Sequence, residues 1–243
     1  MSTATKALMD DVRQTLLPGR GGKYGVLPIL LVGMTVVTGL VDSFSYLALG
    51  HVFVANMTGN VVFLAFALVG AGGFSVAVSL VAMGAFIVGA LGGGAFRSHL
   101  GPRLTRQVAV AAAVELVLLA TAAVLSATAG GSLQGFVRYG LVAVLAAALG
   151  LQNATARGLA VPDLTTTVLT LTITGLAADA RAVGGSGSRA GRRLISVGAM
   201  LGGAVLGGVL VVHGQVTSTL VVAAILMAVI AGATRLVPAS ITP

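Results

Sequence analysis

Apolar stretches of about 20 residues recur along the whole chain, separated by short turns and two basic loops. Each stretch is long enough, as a helix rising about 1.5 Å per residue, to cross a hydrocarbon core of about 30 Å. The pattern therefore predicts an all-α integral membrane protein. The predicted segments are residues 26–47, 51–70, 74–96, 107–128, 136–158, 162–180, 194–213 and 216–234.

Two of these segments carry polar residues inside an otherwise apolar run. Segment 51–70 contains "NMTGN" at 56–60, and segment 162–180 contains "DLTTTVLTLT" at 163–172. Backbone that leaves the helix at membrane depth must line water or be buried in protein, and Asn and Thr can satisfy its freed groups. We predict that both segments are broken or re-entrant, with Gly59 supplying a turn that most residues cannot adopt. The alternative is that Asn and Thr only join spanning helices.

The second half of the chain resembles the first at a shift of roughly 110 residues. "GLVDSFS" (39–45) aligns with "GLQNATA" (150–156), which places Asp42 opposite Asn153, and "GALGGGA" (89–95) aligns with "GAMLGGA" (198–204). These matches predict two repeats, 25–130 and 131–238, after a cytoplasmic tail, 1–24. The tail has no apolar core followed by a cleavage site, so we expect no cleaved signal peptide.

Composition and charge decide between two topologies. Of 243 residues, 57% are hydrophobic and 8% charged, too few charges to cover a soluble domain. Eight spans would leave four of the 14 basic residues outside, whereas six spans plus two re-entrant segments leave only Arg138 outside. Because Lys and Arg concentrate in cytoplasmic loops, we favour the second topology, in which the N-terminus is cytoplasmic and the halves form inverted repeats.

The same counts argue against several function classes. The net charge of +8 does not indicate nucleic acid binding, because the arginines lie at the ends of apolar runs and Trp is absent. Three scattered histidines and no cysteine predict neither a metal site nor a disulfide. No nucleophile lies beside a base and no carboxylates are paired, so we expect no enzyme activity and no cofactor.

Two acidic residues fall inside predicted spans. Asp42 lies near the outer end of the first helix, where an ionisable group marks a pathway or proton relay by default. Its structural alternatives are contact with interfacial water or an ion pair with Arg138. Glu115 lies roughly 12 Å beyond Gln107 along its helix. Both a proton-coupling site and a neutral, hydrogen-bonded side chain suit that position.

Polar residues of the second half complete the candidate site. A run of threonines at 165, 166, 167, 170, 172 and 174 could line a polar track or bond to its own backbone. Gln152 and Asn153 precede it in "GLQNATARG". The candidate solute-binding residues are Asp42, Asn56, Thr58, Gly59, Asn60, Gln152, Asn153, Thr166 and Thr170, with Glu115 as the candidate proton-coupling residue.

Small residues four positions apart mark segments 74–96 and 194–213, for example Gly89 with Gly93 and Gly203 with Gly207. Such faces allow helix backbones to approach closely, so these helices are expected to pack against each other or across a homodimer.

The motifs "GLVDSFSYLALGHVFVANMTGN", "GLQNATAR" and "TTTVLTLTITGLAAD" together resemble the YoaK-like family of bacterial inner-membrane proteins, from about Leu27 to Leu236. The resemblance implies a multi-helix protein of the bacterial inner membrane, with six predicted spans and no assigned substrate. Carried onto this sequence, the resemblance implies that the candidate solute-binding residues are the family's signature positions: Asp42, Asn56, Thr58, Gly59, Asn60, Gln152, Asn153, Thr166 and Thr170. Here the third motif has Thr170-Leu171 where many relatives have a Thr-Gly pair.

These observations predict a small-solute transporter or channel with a polar site near the midplane, whose partners are the lipid bilayer and an unidentified small solute. The alternative is a non-transporting assembly or scaffold protein that packs through its glycine-rich helices.

Overall fold

The computed structural model describes residues 3–17, 24–101, 103–164, 166, 169–180, 183–185 and 189–235. All regular secondary structure in these residues is helical, which confirms the prediction of an all-α protein. The helices are α1 (Thr3–Leu16), α2 (Leu27–Ala48), α3 (Met57–Leu68), α4 (Val76–Leu100), α5 (Leu104–Thr128), α6 (Gly135–Leu159), α7 (Leu169–Ala178), α8 (Ala190–Val212) and α9 (Val216–Arg235).

Six helices within the described residues are long and apolar enough to cross a bilayer, namely α2, α4, α5, α6, α8 and α9. Each contains 20 to 25 residues, or roughly 30–37 Å of helix. The most apolar stretches of α2 and α6 are 72% and 50% buried by the rest of the chain, against 33% or less for the other four. The chain is therefore a multi-pass membrane protein with α2 and α6 at the centre of the bundle.

The two remaining apolar helices, α3 and α7, are too short to span. They contain 12 and 10 residues, roughly 18 and 15 Å of helix. The described residues before α3, 49–56, and before α7, 160–164 and 166, are non-helical. The alternative of eight full spans is thus excluded, and the prediction of six long helices with two short or broken ones is confirmed.

The segment that contains α3 begins and ends on one side of the bundle. Just after α2, the His51 Nδ1 lies 3.2 Å from the Gly73 carbonyl oxygen, which lies just before α4. The Phe74 ring centroid is 5.8 Å from that of His51 and 5.2 Å from that of Phe63. The chain therefore enters the bundle after α2, turns near the start of α3 and returns to the same side.

The segment that contains α7 is closed in the same way at the opposite end of the bundle. Arg193, in the first turn of α8, binds Asp163 before α7 at 3.0 Å and Asp179 after α7 at 2.8 Å. Its guanidinium also donates to the Gly175 carbonyl within α7. One arginine thus holds both ends of the second short segment together.

Packing between helices follows a paired pattern. α2 packs against α8 and α9, α6 packs against α4 and α5, and α5 packs against α9. The short helices α3 and α7 pack on α4 and α8. The same set of pairs results when α2, α3, α4 and α5 trade places with α6, α7, α8 and α9, respectively. The main contacts of the glycine-rich helices α4 and α8 are with α6 and α2, rather than with each other as one sequence interpretation proposed.

Glycines bring α4 and α6 into backbone contact. A Cβ atom on Gly89 would overlap the Ala147 carbonyl, and one on Gly150 would overlap the Phe86 carbonyl. No other residue type fits these two positions without moving one helix away from the other.

The crossing of α2 and α8 repeats this arrangement. A Cβ atom on Gly39 would overlap the Met200 carbonyl, and one on Gly203 would overlap the Val36 carbonyl. A Cβ atom on Gly198 would meet open space. The predicted alignment of "GALGGGA" with "GAMLGGA" is therefore out of register, because Gly203 rather than Gly198 makes the close crossing.

The two ends of the bundle differ in charge. Among the described residues, Arg138 is the only Lys or Arg at the end where the α3 segment enters. The remaining basic residues of the described chain lie at the other end or in α1; these are Lys6, Arg13, Arg97, Arg103, Arg106, Arg157, Arg189, Arg192, Arg193 and Arg235.

The predicted N-terminal tail contains a docked helix. α1 packs against α8, and the Asp11 carboxylate accepts a hydrogen bond from the Arg192 backbone N–H at 3.0 Å. That N–H belongs to the first turn of α8, whose donors have no partner within the helix. Asp11 therefore caps α8 from another helix.

We expect Gly203→Ala to destabilise the protein, because the added Cβ atom would push α8 away from α2, and overpacking costs about 1–3 kcal/mol. Gly202→Ala is the matched control, since Gly202 faces open space and Ala favours a helix over Gly by about 1 kcal/mol. Thermal unfolding in detergent, followed by circular dichroism, measures both. Equal stability of the two variants would contradict the close crossing.

Candidate functional site

A cavity of about 570 Å³ lies where the two short helices begin. Phe86 and Met200 form part of its wall near the centres of α4 and α8, so the cavity lies at mid-height in the bundle. The lining residues are Ala55, Asn56, Met57, Thr58, Gly59, Val62, Phe63, Phe86, Asn153, Leu169, Thr170 and Met200.

Asp42 holds the first stretch of non-helical backbone, which we call the first break (residues 49–56). The side chain is 5% exposed, and its Oδ1 accepts from the N–H groups of Val54 at 3.0 Å and Ala55 at 2.9 Å. Arg138 donates instead to the Gly50 carbonyl at 3.1 Å. The carboxylate thus satisfies buried backbone donors, whereas the sequence interpretations had offered a pathway, interfacial water or an ion pair with Arg138.

Asn60 holds the same break from the other side. It is fully buried, its Nδ2 donates to the Phe53 carbonyl at 2.6 Å, and its Oδ1 accepts from the Phe53 N–H at 2.9 Å. Asn60 is not part of the cavity lining. Its amide therefore positions the backbone behind the wall, although the sequence suggested a side chain that faces the solute.

The start of α3 supplies the polar wall of the first half. The Asn56 side chain caps α3 by accepting from the Gly59 N–H at 3.2 Å, and Thr58 is exposed in the first turn. The prediction that Gly59 forms a turn is wrong, because Gly59 lies within α3. A Cβ atom there would come within 2.8 Å of the Phe53 ring, so close packing explains the glycine.

The start of α7 supplies the matching wall of the second half. Thr170 is the second residue of α7, as Thr58 is the second residue of α3, and both line the cavity with Asn153 of α6. The structure therefore brings Asn56, Thr58, Asn153 and Thr170 of the candidate residues to one site.

The other threonines of the second half do not form a lining track. Thr166 is 2% exposed and has a φ of 60°. It lies among the described non-helical residues before α7, 160–164 and 166, which we call the second break. Thr172 is buried and Thr174 is exposed, and neither lines the cavity. Thr165 and Thr167 lie outside the described residues.

Glu115 and Gln152 form a buried polar group behind the cavity. Both are fully buried, and the Gln152 amide lies 2.6 Å from a Glu115 carboxyl oxygen and 2.8 Å from the Thr38 hydroxyl. Neither residue lines the cavity, so Gln152 joins α5 and α6 to α2 rather than facing a solute.

The chemistry of the lining is that of a hydrogen-bonding pocket. Its side chains are amides, hydroxyls and apolar groups, and no ionisable side chain is among them. Polar groups converge from both short helices while Phe63, Phe86 and Met200 form the apolar walls. Small-molecule sites have this composition, in which a few polar groups orient a ligand within an apolar enclosure.

Phe86 and Met200 line the cavity but are not among the residues predicted from the sequence. Each lies opposite a crossing glycine of a central helix, Gly150 or Gly39. An alignment of α4 with α8 that pairs Gly89 with Gly203 also pairs Phe86 with Met200. The similar motif that begins at Gly198 concealed that register.

A family model described as protein of unknown function (DUF1275) matches residues 30–233 of the chain. The UPF0700 transmembrane protein YoaK of Bacillus subtilis (strain 168) is 34% identical over 155 residues, which cover 62% of this chain and 65% of that relative. The match thus spans slightly less than two thirds of the relative's length. No solved structure gives a significant match.

We expect Asp42→Ala to destabilise the protein by about 2–4 kcal/mol, because it leaves the buried Val54 and Ala55 N–H groups without an acceptor. Asp42→Asn keeps a carbonyl oxygen for these donors and should lose less than half as much. Chemical unfolding in detergent gives the stabilities. If Asp42→Asn loses more than half the stability that Asp42→Ala loses, the charge of Asp42, rather than its acceptor oxygen, stabilises the break.

Proposed function

The chain belongs to the DUF1275 family of proteins of unknown function, and on that premise we propose that it is a small-solute transporter or channel that binds its solute between the two short helices. The proposal assigns it no catalytic activity. The convergence of the first turns of α3 and α7 on one cavity carries the proposal. Irregular backbone at membrane depth is tolerated where it lines a water-filled cavity or is buried in protein, and here the end of the first break, at Ala55 and Asn56, borders a cavity of about 570 Å³.

The paired helix contacts support an inverted repeat. The α3 segment enters from the end where α2 finishes, and the α7 segment enters from the end where α6 finishes. Because α2 and α6 run in opposite directions, the two halves have opposite orientations. Secondary transporters with inverted repeats place their sites near the midplane, between discontinuous helices.

The charge distribution supports an orientation in the bacterial inner membrane. The end that carries α1 and nearly all described basic residues would face the cytoplasm, since Lys and Arg concentrate in cytoplasmic loops. The N-terminus is then cytoplasmic, and Arg138 and the first break face outward.

The lining favours a small solute that forms hydrogen bonds. Asn56, Thr58, Asn153 and Thr170 offer both donors and acceptors. No ionisable side chain of the lining supplies a fixed counter-charge, so recognition would depend on hydrogen bonds and on size.

The non-transporting alternative would use outward-facing surfaces. Gly198 and Gly202 lie four residues apart on α8 with open space beside them, which is the spacing at which transmembrane helices associate. Under this alternative, Gly198→Leu and Gly202→Leu would abolish function, and substitutions in the cavity would be silent.

We expect Thr170→Trp to reduce solute flux at least about tenfold, because the ring would fill the space between the short helices and bound solute would lose several contacts. Flux is measured in proteoliposomes against a panel of small amides, polyols, amino acids and organic acids. Thr174→Trp is the matched control, since Thr174 is exposed on the same helix but does not line the cavity. Absence of flux for every solute, or equal flux in both variants, would refute the proposal.

The orientation is tested with single cysteines, which the native chain lacks. We expect Gly72→Cys to react with an impermeant thiol reagent on whole cells, because residue 72 lies at the outward end beside the first break. Ser98→Cys, at the basic end, should react only after permeabilisation. The reverse labelling would invert the proposed orientation.

A further inference from the structure

Four buried polar side chains connect the interior of α5 to the second break. Glu115, Gln152 and Thr38 are fully buried, and Thr166 is 2% exposed. The Gln152 amide lies at the centre of the group and contacts the other three side chains. We call this group the amide relay.

The amide relay has one complete set of hydrogen bonds when Glu115 is a carboxylate. A carboxylate only accepts, so the Gln152 nitrogen must face it, at 2.6 and 3.2 Å from the two oxygens. The Gln152 oxygen then accepts from the Thr38 hydroxyl at 2.8 Å and from the Thr166 hydroxyl at 3.2 Å.

A second set of hydrogen bonds exists when Glu115 is protonated. The acid O–H donates to the Gln152 oxygen across 2.6 Å, a distance typical of O–H···O bonds and slightly short for N–H···O bonds. The Gln152 nitrogen then donates to Thr38 Oγ1 at 2.8 Å, and the Thr38 hydroxyl donates to the Met34 carbonyl at 3.1 Å. Rotation of one amide by half a turn exchanges the two sets.

Thr166 is the member of the relay that the exchange alters most. With Glu115 ionised its hydroxyl donates to Gln152; with Glu115 protonated it faces the amide nitrogen and can only accept there. Thr166 has a φ of 60°, a conformation that is strained for a β-branched residue and persists only where its surroundings hold it. It lies three residues before α7 and four before Thr170 of the cavity wall.

Other charged groups lie away from Glu115. Within the described residues, no ion pair involves Glu115, and Asp42, one turn beyond Thr38, is occupied by the Val54 and Ala55 N–H groups. The ionisable residues on the helices that pack against α5 lie near helix ends; they are Arg97, His99, Arg138, Tyr139, Arg157 and Arg235.

We propose that Glu115 is a proton-binding site and that the Gln152 amide transmits its occupancy through Thr166 to the cavity wall at the start of α7. The proposal rests on the proposed transport function and makes the proton the coupling ion. The step forms one O–H bond on the Glu115 carboxylate and breaks no covalent bond of the protein. Proton binding on one side and release on the other would then switch the second break between two hydrogen-bonded states.

The first measurement is infrared difference spectroscopy of the full-length protein in lipid nanodiscs. Spectra recorded at about pH 5 and at about pH 9 are compared, because buried carboxyl groups titrate within this range. We expect a carbonyl band of a protonated acid that is absent in Glu115→Gln and retained in Asp42→Asn. Gln152→Leu should shift this band, because its hydrogen-bond partner is lost. A wild-type spectrum without the Glu115 band, or an unshifted band in Gln152→Leu, would overturn the proposal.

The second measurement uses Thr170→Cys as a reporter of the cavity wall. We expect the pH-dependent change in its labelling rate to be about fivefold larger in the wild-type background than in the Glu115→Gln background. A factor of about five is the shift in population that one net hydrogen bond can produce. Glu115→Gln is also the control for ionisation of the reporter thiol. Gln152→Leu and Thr166→Ala should each abolish the excess, whereas Asp42→Asn should retain it.

Equal pH responses in the wild-type and Glu115→Gln backgrounds, including no labelling in either, would refute transmission to the cavity. Retention of the full excess in both Gln152→Leu and Thr166→Ala would refute the relay. Neither measurement requires solute flux. Failure here would therefore leave the transport proposal standing, and absence of flux would leave proton binding to be judged on these spectra and rates.

Discussion

In an apolar environment every backbone N–H and C=O group needs a hydrogen-bond partner. This requirement constrains the structure more than any other interaction. Six long helices meet this need internally, but the stretches before α3 and α7 cannot. At the first break, Asp42 takes two N–H groups, Asn60 takes both backbone groups of Phe53, and Asn56 takes one N–H of α3. The polar residues inside the apolar run are thus largely committed to the backbone. Thr58 and the amide nitrogen of Asn56, which the cap on α3 does not use, are left to define a binding surface.

The two halves meet this constraint with different chemistry. The segment that contains α3 is closed by the contact of His51 with Gly73 and by stacking of Phe63 on Phe74, whereas the segment that contains α7 is closed by Arg193 and two aspartates. Asp42 of the first half aligns in sequence with Asn153 of the second, so the second half has an amide where the first half has the carboxylate that caps its break. Among its described residues, the second break contains three residues other than glycine with positive φ, namely Ala160, Asp163 and Thr166, whereas the first break contains one, His51. This difference in backbone strain is the reason for placing the proposed switch at the second break.

The sequence predicted the architecture well because its signals are local. Runs of apolar residues defined the spans, polar clusters marked the two segments that contain the breaks, and the asymmetry of basic residues favoured six long helices over eight. The first break itself lies before its polar cluster, because residues 57–60 are helical. It assigned the site less well, because the direction of a side chain depends on tertiary packing. Asn60 and Thr58 lie two residues apart in one motif, yet one holds the backbone and the other lines the cavity. Gly59 has the composition of a turn but lies in a helix against Phe53, and the register of α4 with α8 became visible only through contacts at Gly203.

The close crossings determine where this bundle can move. α2 with α8 and α4 with α6 touch backbone to backbone at glycines, so sliding within either pair would drive carbonyl groups into the facing helix. Movement that opens the cavity must therefore occur between the two pairs, with α5 and α9 packed across them. Polar contacts between the pairs are consequently the ones that such a movement must break. Gln152 of α6 meets Thr38 of α2 across this division, and the same amide reaches Glu115. A proton on Glu115 would thus act at the contact that separates when the cavity opens, rather than at a distance from it.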